Sequence, residues 1–138
     1  MDQEIEFHDS QLGDTQLREG ALTIRLAPAY VHRFEERPGT DRRHTGWWQD
    51  AELHFANVVA RAGIDAAGEL NVDSRWIVDA SIQTPDHRWQ NVIPVPIDVA
   101  GPLQFAAQTN ENDDLLLEAD HMSIRLTGEA EFEMELDF

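Results

Sequence analysis

Glu129-Ala130-Glu131-Phe132-Glu133-Met134-Glu135-Leu136-Asp137-Phe138 alternates acid and apolar residue from end to end. Successive side chains of an extended chain point to opposite faces, so a period of two reads as a half-buried β-strand. On that reading Ala130, Phe132, Met134, Leu136 and Phe138 enter a core. Glu129, Glu131, Glu133, Glu135 and Asp137 then form an acidic ladder facing water.

The same period recurs upstream. Ile5 and Phe7 alternate with Glu4, Glu6 and His8 in a first strand that Asp9-Ser10 interrupts. Leu12 and Leu17 belong to a second extended stretch ending at Glu19-Gly20, a hairpin turn. Leu22, Ile24 and Leu26 alternate with Thr23 and Arg25, and this strand runs past Pro28 to Tyr30 and His32, the proline implying an edge or a bulge. Residues 33–46 lack apolar periodicity, contain Pro38-Gly39 and read as a long polar loop rich in arginine. Beyond them Ala51, Leu53, Phe55 and Val59 fall on one face, with Asp50, Glu52 and His54 on the other. Residues 60–68, rich in alanine and glycine, are too short for a stable helix and read as a connection with at most one helical turn. Residues 70–72 and 76–82 are extended, and Leu103, Phe105 and Ala107 pair with residues 115–126 in a hairpin turned by residues 110–114. The pattern predicts a single all-β domain over residues 1–138, an antiparallel sandwich or partly open barrel of about eight to ten strands. No amphipathic helix separates the strands, which disfavours a parallel βαβ arrangement.

With 138 residues the chain can bury a core without a covalent staple. It has no cysteine, which excludes a disulfide framework, a thiolate nucleophile and a cysteine zinc site. No charged segment leading into an apolar run opens the chain and no window is apolar enough to span a bilayer, so a soluble, unanchored, cytoplasmic protein is expected. The 27 acids against 10 bases give a formal charge of −17. That excess opposes binding to nucleic acid phosphates or an anionic membrane and favours a basic protein partner. All ten bases are arginine, suited to bidentate pairing with carboxylates.

Phe7-His8-Asp9-Ser10, then Leu22-Thr23-Ile24-Arg25-Leu26, and later Ala51-Glu52-Leu53-His54-Phe55-Ala56-Asn57-Val58 follow an order that resembles small bacterial all-β proteins whose first strand ends in His-Asp-Ser or His-Asp-Ala. Met122-Ser123-Ile124-Arg125-Leu126-Thr127-Gly128-Glu129-Ala130 is similar in style. Some of those proteins are uncharacterised domains and some, the immunity protein 50 group, are proposed antitoxins of polymorphic toxin systems. The resemblance implies a β-sandwich or barrel and a non-enzymatic, antitoxin-like role.

Among residues able to carry chemistry, His8 and Asp9 are adjacent, and a carboxylate can orient an imidazole for general-base work only where the chain turns between them. Asp120-His121 is a second such pair, and a hydrolase built on His8, Asp9 and His121 is the least favoured reading. No histidine spacing matches a zinc motif, so neither metal nor cofactor is expected, although Glu52 and His54 on one strand face are the best local seed. Ladder acids two residues apart sit ~6.5–7 Å from each other, too far for neighbours to share a calcium ion. Trp47 joins Leu53 and Phe55 by parity, leaving Trp48 outward beside an arginine-rich segment, a feature suited to recognition of a protein partner or a carbohydrate. The candidate binding residues are therefore Tyr30, His32, Arg42, Arg43, Trp48 and His54, for a basic protein partner. The alternative is a small apolar ligand inside a barrel, with Tyr30, His32 and the tryptophans at its mouth.

Overall fold

Eleven strands occupy the described residues of the computed structural model, which are 2–36, 43–72, 75–111 and 113–136. In chain order they are β1 (Asp2–Glu6), β2 (Leu12–Arg18), β3 (Ala21–Glu35), β4 (Arg43–Ala56), β5 (Val59–Ala62), β6 (Ile77–Gln83), β7 (Arg88–Gln90), β8 (Val92–Pro94), β9 (Ile97–Thr109), β10 (Asp114–Leu126) and β11 (Glu131–Leu136). The main path is β7-β6-β9-β10-β4-β3-β1-β8, all antiparallel, with β2 added on β3, β5 on β10 and β11 on β4.

The two ends of this path are neighbours in sequence, separated only by Asn91, and that residue brings the sheet close to closure. Its backbone is left-handed (φ 62°), a conformation asparagine tolerates better than most residues. Its N–H donates to the carbonyl of Ala80 in β6 at 2.7 Å and its carbonyl accepts from Phe7, just past β1, also at 2.7 Å. The side-chain oxygen accepts the Ala80 N–H at 2.9 Å. A nearly closed barrel follows, one of the two architectures expected, and no helix occurs among the described residues.

Inward parity places Ile5, Val31, Leu53, Ile82, Ile93, Leu117 and Met122 in one buried cluster. Its centre is occupied by aromatic rings: Phe105 meets Phe7 at 5.9 Å and Phe55 at 5.5 Å between centroids. Aromatic packing of this kind fills the interior of a small barrel.

Several local expectations stand. Glu19 (φ 52°) and Gly20 (φ 79°) make the two-residue β2–β3 turn, and both angles suit a type I′ hairpin. Pro28 lies where the β3–β4 register slips between Leu26 and Ala29, so the proline sits in a bulge. Others are corrected. The stretch 33–46 is not all loop, because β3 runs to Glu35 and β4 starts at Arg43, paired as Arg33↔Thr45, Phe34↔His44 and Glu35↔Arg43. Apolar alternation is missing there because the sheet extends beyond the aliphatic core. Residues 59–62 form β5 against β10 rather than a helical turn, and Val59, expected on the inner face with Leu53 and Phe55, is exposed because it belongs to this separate outer strand.

The closing decapeptide is a strand over Glu131–Leu136, yet its apolar face does not enter the core. The register steps from Phe132↔Trp47 to Met134↔Gly46, so Glu133 is bulged and the parity reverses there. Phe132 shares the inner face with Trp47, while Met134 and Leu136 lie opposite Gly46 and His44 on the outer face. Phe132 is 53 % and Met134 45 % exposed.

Candidate functional site

The outer face of a barrel is ordinarily polar, but along β3 and β4 it carries a row of rings. Pairing of Tyr30 with Trp48, His32 with Gly46 and Phe34 with His44 sets these side chains on one face at alternate positions. Ring centroids are separated by 4.7 Å for Tyr30–Trp48, 5.1 Å for Tyr30–His32, 4.9 Å for His32–His44 and 4.4 Å for Phe34–His44. Gly46 makes room for this row. A Cβ there would land on the Tyr30 hydroxyl and lie 2.9 Å from its Cζ. The phenol is 8 % exposed and donates to the carboxylate of the bulged Glu133. Burial, the bond to Glu133 and the negative charges of Glu133, Glu6 and Asp9 all hold the Tyr30 hydroxyl protonated well above its ordinary range.

His32 is engaged at both nitrogens. Nδ1 lies 2.7 Å from Nε2 of His44, and Nε2 lies 3.5 Å from the Glu6 carboxylate. The remaining nitrogen, Nδ1 of His44, is buried. The carboxylate, imidazole and imidazole thus follow one another along the outer face, with Glu6 the more exposed end and His32 largely buried.

At the Trp48 end the row opens into a cleft of about 540 Å³. Its walls include Pro28 at the β3 bulge, Trp48 and Asp50 of β4, Trp76, and Glu129 and Glu131 at the β10–β11 corner. Trp76 is brought there by an isolated bridge to Gln11 and is 43 % exposed. Asp50 accepts from the Arg25 guanidinium at 2.6 Å, while Glu129 and Glu131 are exposed. No lysine or arginine is among the described lining residues.

Of the residues singled out in the sequence, Tyr30, His32 and Trp48 come together. Arg43 lies on the opposite parity of β4, between Glu35 at 3.9 Å and Glu135 at 3.7 Å, so it does not join them. Arg42 lies outside the described residues. His54 belongs to a separate network farther along the face: its Nε2 meets Glu52 at 2.9 Å and its Nδ1 meets Thr23 at 3.0 Å, and Arg125 reaches Glu52 at 3.0 Å. Arg125 first, then His54, hold the Glu52 carboxyl below its ordinary range against the opposing effect of burial. The Glu52–His54 seed is thus closed by ion pairing, and among the described residues no group of three or more potential ligands converges on a metal position.

Phe34 and His44 were not among the candidate binding residues and Trp76 was expected only at a barrel mouth, whereas Glu129 and Glu131 belong to the acidic ladder, which the sequence already offered as a docking face for a basic partner. The period of two through Tyr30, His32 and Phe34 was the available signal for the first of them.

The chain does turn at Asp9 (φ 73°), which brings His8 Nε2 within 3.5 Å of its carboxylate. His8 Nδ1 meets the Val78 carbonyl at 3.0 Å, which chiefly raises the imidazole pKa. His121 sits instead between Ala56 and Ala100 on β10 and faces Asp98 at 3.4 Å. His8, in the turn after β1, is thus held by Val78 of β6 and by Asp9, whereas His121 of β10 is held by Asp98 of β9. Ser10 has a structural role: fully buried, it donates to the Glu6 carbonyl at 2.7 Å and accepts the Tyr30 N–H at 3.0 Å.

Comparison with family models, curated proteins and solved structures gives no match. No helix among the described residues is long and apolar enough to cross a membrane.

Proposed function

We propose that this protein is a non-enzymatic binding protein that docks a basic protein partner, and that the partner's cationic side chains enter the cleft between Trp48 and Trp76. The observation that carries this reading is the composition of the cleft, two indoles and the exposed carboxylates Glu129 and Glu131, beside Asp50 already paired with Arg25, with no basic residue among the described lining residues. A guanidinium or ammonium group is attracted to an indole face and to a carboxylate at once, each contact worth about 0.5–2 kcal/mol as water is excluded. The charge of −17 adds long-range steering of a cationic partner, which raises the association rate more than the affinity. Neutralising a basic toxin, the role implied by the resemblance of the His-Asp-Ser start, is one setting in which such a surface operates. The filled interior favours this outer cleft over an apolar ligand inside the barrel, and the separation of His8 from His121 favours binding over hydrolysis.

The test is a fluorescence titration with a nine-residue peptide alternating arginine and threonine. Trp76→Ala and the double variant Glu129→Gln/Glu131→Gln are each expected to weaken binding about tenfold. Asp86→Asn/Asp98→Asn removes the same two charges from exposed positions outside the cleft and is expected to change affinity less than about twofold. Equal losses from both double variants would reduce the interaction to general charge attraction and end the proposal. So would displacement of the peptide by a neutral oligosaccharide.

A further inference from the structure

β11 hydrogen-bonds β4 along one edge, and among the described residues no strand pairs with its other edge. An open edge presents backbone N–H and C=O groups that template an additional chain. The side chains of β11 decide which chain that is. Glu131 and Glu133 follow Glu129 at alternate positions, with Glu133 bonded to Tyr30, and Glu135 faces Arg43. A second copy laid on this edge brings three more acids of its own β11 to a molecule already carrying −17, so self-pairing is opposed by like charge. The bulge at Glu133 twists the edge and further guards it against indiscriminate pairing. The same bulge leaves Phe132 and Met134 exposed on opposite faces, so an added strand meets an apolar side chain on each side.

We infer that β11 accepts an extended basic segment of the partner as an added strand, with arginine or lysine at alternate positions directed toward Glu129 and Glu131. This rests on the proposed cleft function and deepens it. The cleft lies at the N-terminal end of β11, so a strand added there carries its cationic side chains toward Trp48 and Trp76. Main-chain bonds to β11 supply affinity, and the alternating cations supply selectivity.

Backbone methylation of the same arginine–threonine peptide tests this, with the arginine nitrogens methylated in one version and the threonine nitrogens in the other. Only alternate amides of an added strand point at its host, and the charge is identical in all three peptides. One methylated peptide is expected to lose about tenfold or more in affinity while the other stays within about twofold of the parent. Hydrogen exchange at the amides of residues 131–136 should slow on binding of the parent. Equal affinity of both methylated peptides, or equal loss from both, would overturn strand addition. Should that happen while Trp76→Ala still weakens the parent, the cleft reading stands alone. A frame-specific loss that Trp76→Ala does not alter would leave strand addition standing and remove the cleft. No binding of the parent peptide removes both.

Discussion

On the outer face of β4, Glu52 receives Arg125 at 3.0 Å and His54 at 2.9 Å, and these partners depress its carboxyl pKa below the ordinary 4.5. A group whose folded pKa is depressed contributes stability that is present above the unfolded value and lost as pH falls through the folded one. Glu52→Gln is therefore expected to cost about 1 kcal/mol in urea unfolding at pH 7, a difference that shrinks as pH falls through the depressed folded pKa. A cost that does not fall along an acid series would mean that packing, not charge, is what the glutamate contributes. Side-chain parity made this pair legible in the sequence, because Glu52 and His54 are two residues apart on one strand. Parity likewise identified Tyr30, His32 and Trp48. It did not reveal Gly46, whose importance depends on a phenol lying across it from the neighbouring strand, nor Trp76, which reaches the cleft through a bridge to Gln11, remote in sequence.

β11 separates what alternation shows from what it does not. The period of two correctly marked an extended strand, but a single bulged residue, Glu133, reverses the parity and leaves Phe132 beside Trp47 at the margin of the core. The ring of Trp47 meets Phe132 at 5.2 Å and the Arg33 guanidinium at 4.1 Å, so aliphatic packing has ended there. Phe132→Ala should accordingly cost less than about 1 kcal/mol, whereas Phe105→Ala, which removes a fully buried ring between Phe7 and Phe55, should cost about 3–5 kcal/mol. Matching losses in chemical denaturation would show that β11 is packed as the plain alternation suggests. The ends of β3 and β4 escaped the sequence reading for a related reason. Their inner positions hold Arg33, Thr45 and Arg43 and their outer ones His32, Phe34 and His44, so polarity no longer marks the two faces. Bulges and sheet extensions beyond a core depend on neighbouring strands, which a local period does not encode.

Across the molecule, an excess of 17 negative charges sits on a small barrel whose named arginine–carboxylate pairs are mostly exposed, among them Arg25–Asp50 at 2.6 Å, Arg61–Glu118 at 2.7 Å and Arg125–Glu52 at 3.0 Å. Such pairs contribute about 0–1 kcal/mol each, and salt weakens them. The repulsion among the remaining acids acts over longer distances, and a screening length of about 10 Å at 0.1 M removes long-range terms before contact pairs. Stability should therefore rise with sodium chloride at neutral pH, each kcal/mol recovered raising Tm by roughly 3–6 °C for a domain of this size. Binding of the arginine–threonine peptide responds in the opposite direction, because the attraction that steers a cationic segment to the cleft is screened by the same ions. A single salt series read by thermal unfolding and by peptide titration thus yields two slopes of opposite sign. A Tm that falls with salt would mean that local arginine–carboxylate pairing outweighs the repulsion. A peptide affinity that does not change with salt would remove the electrostatic argument for a basic partner.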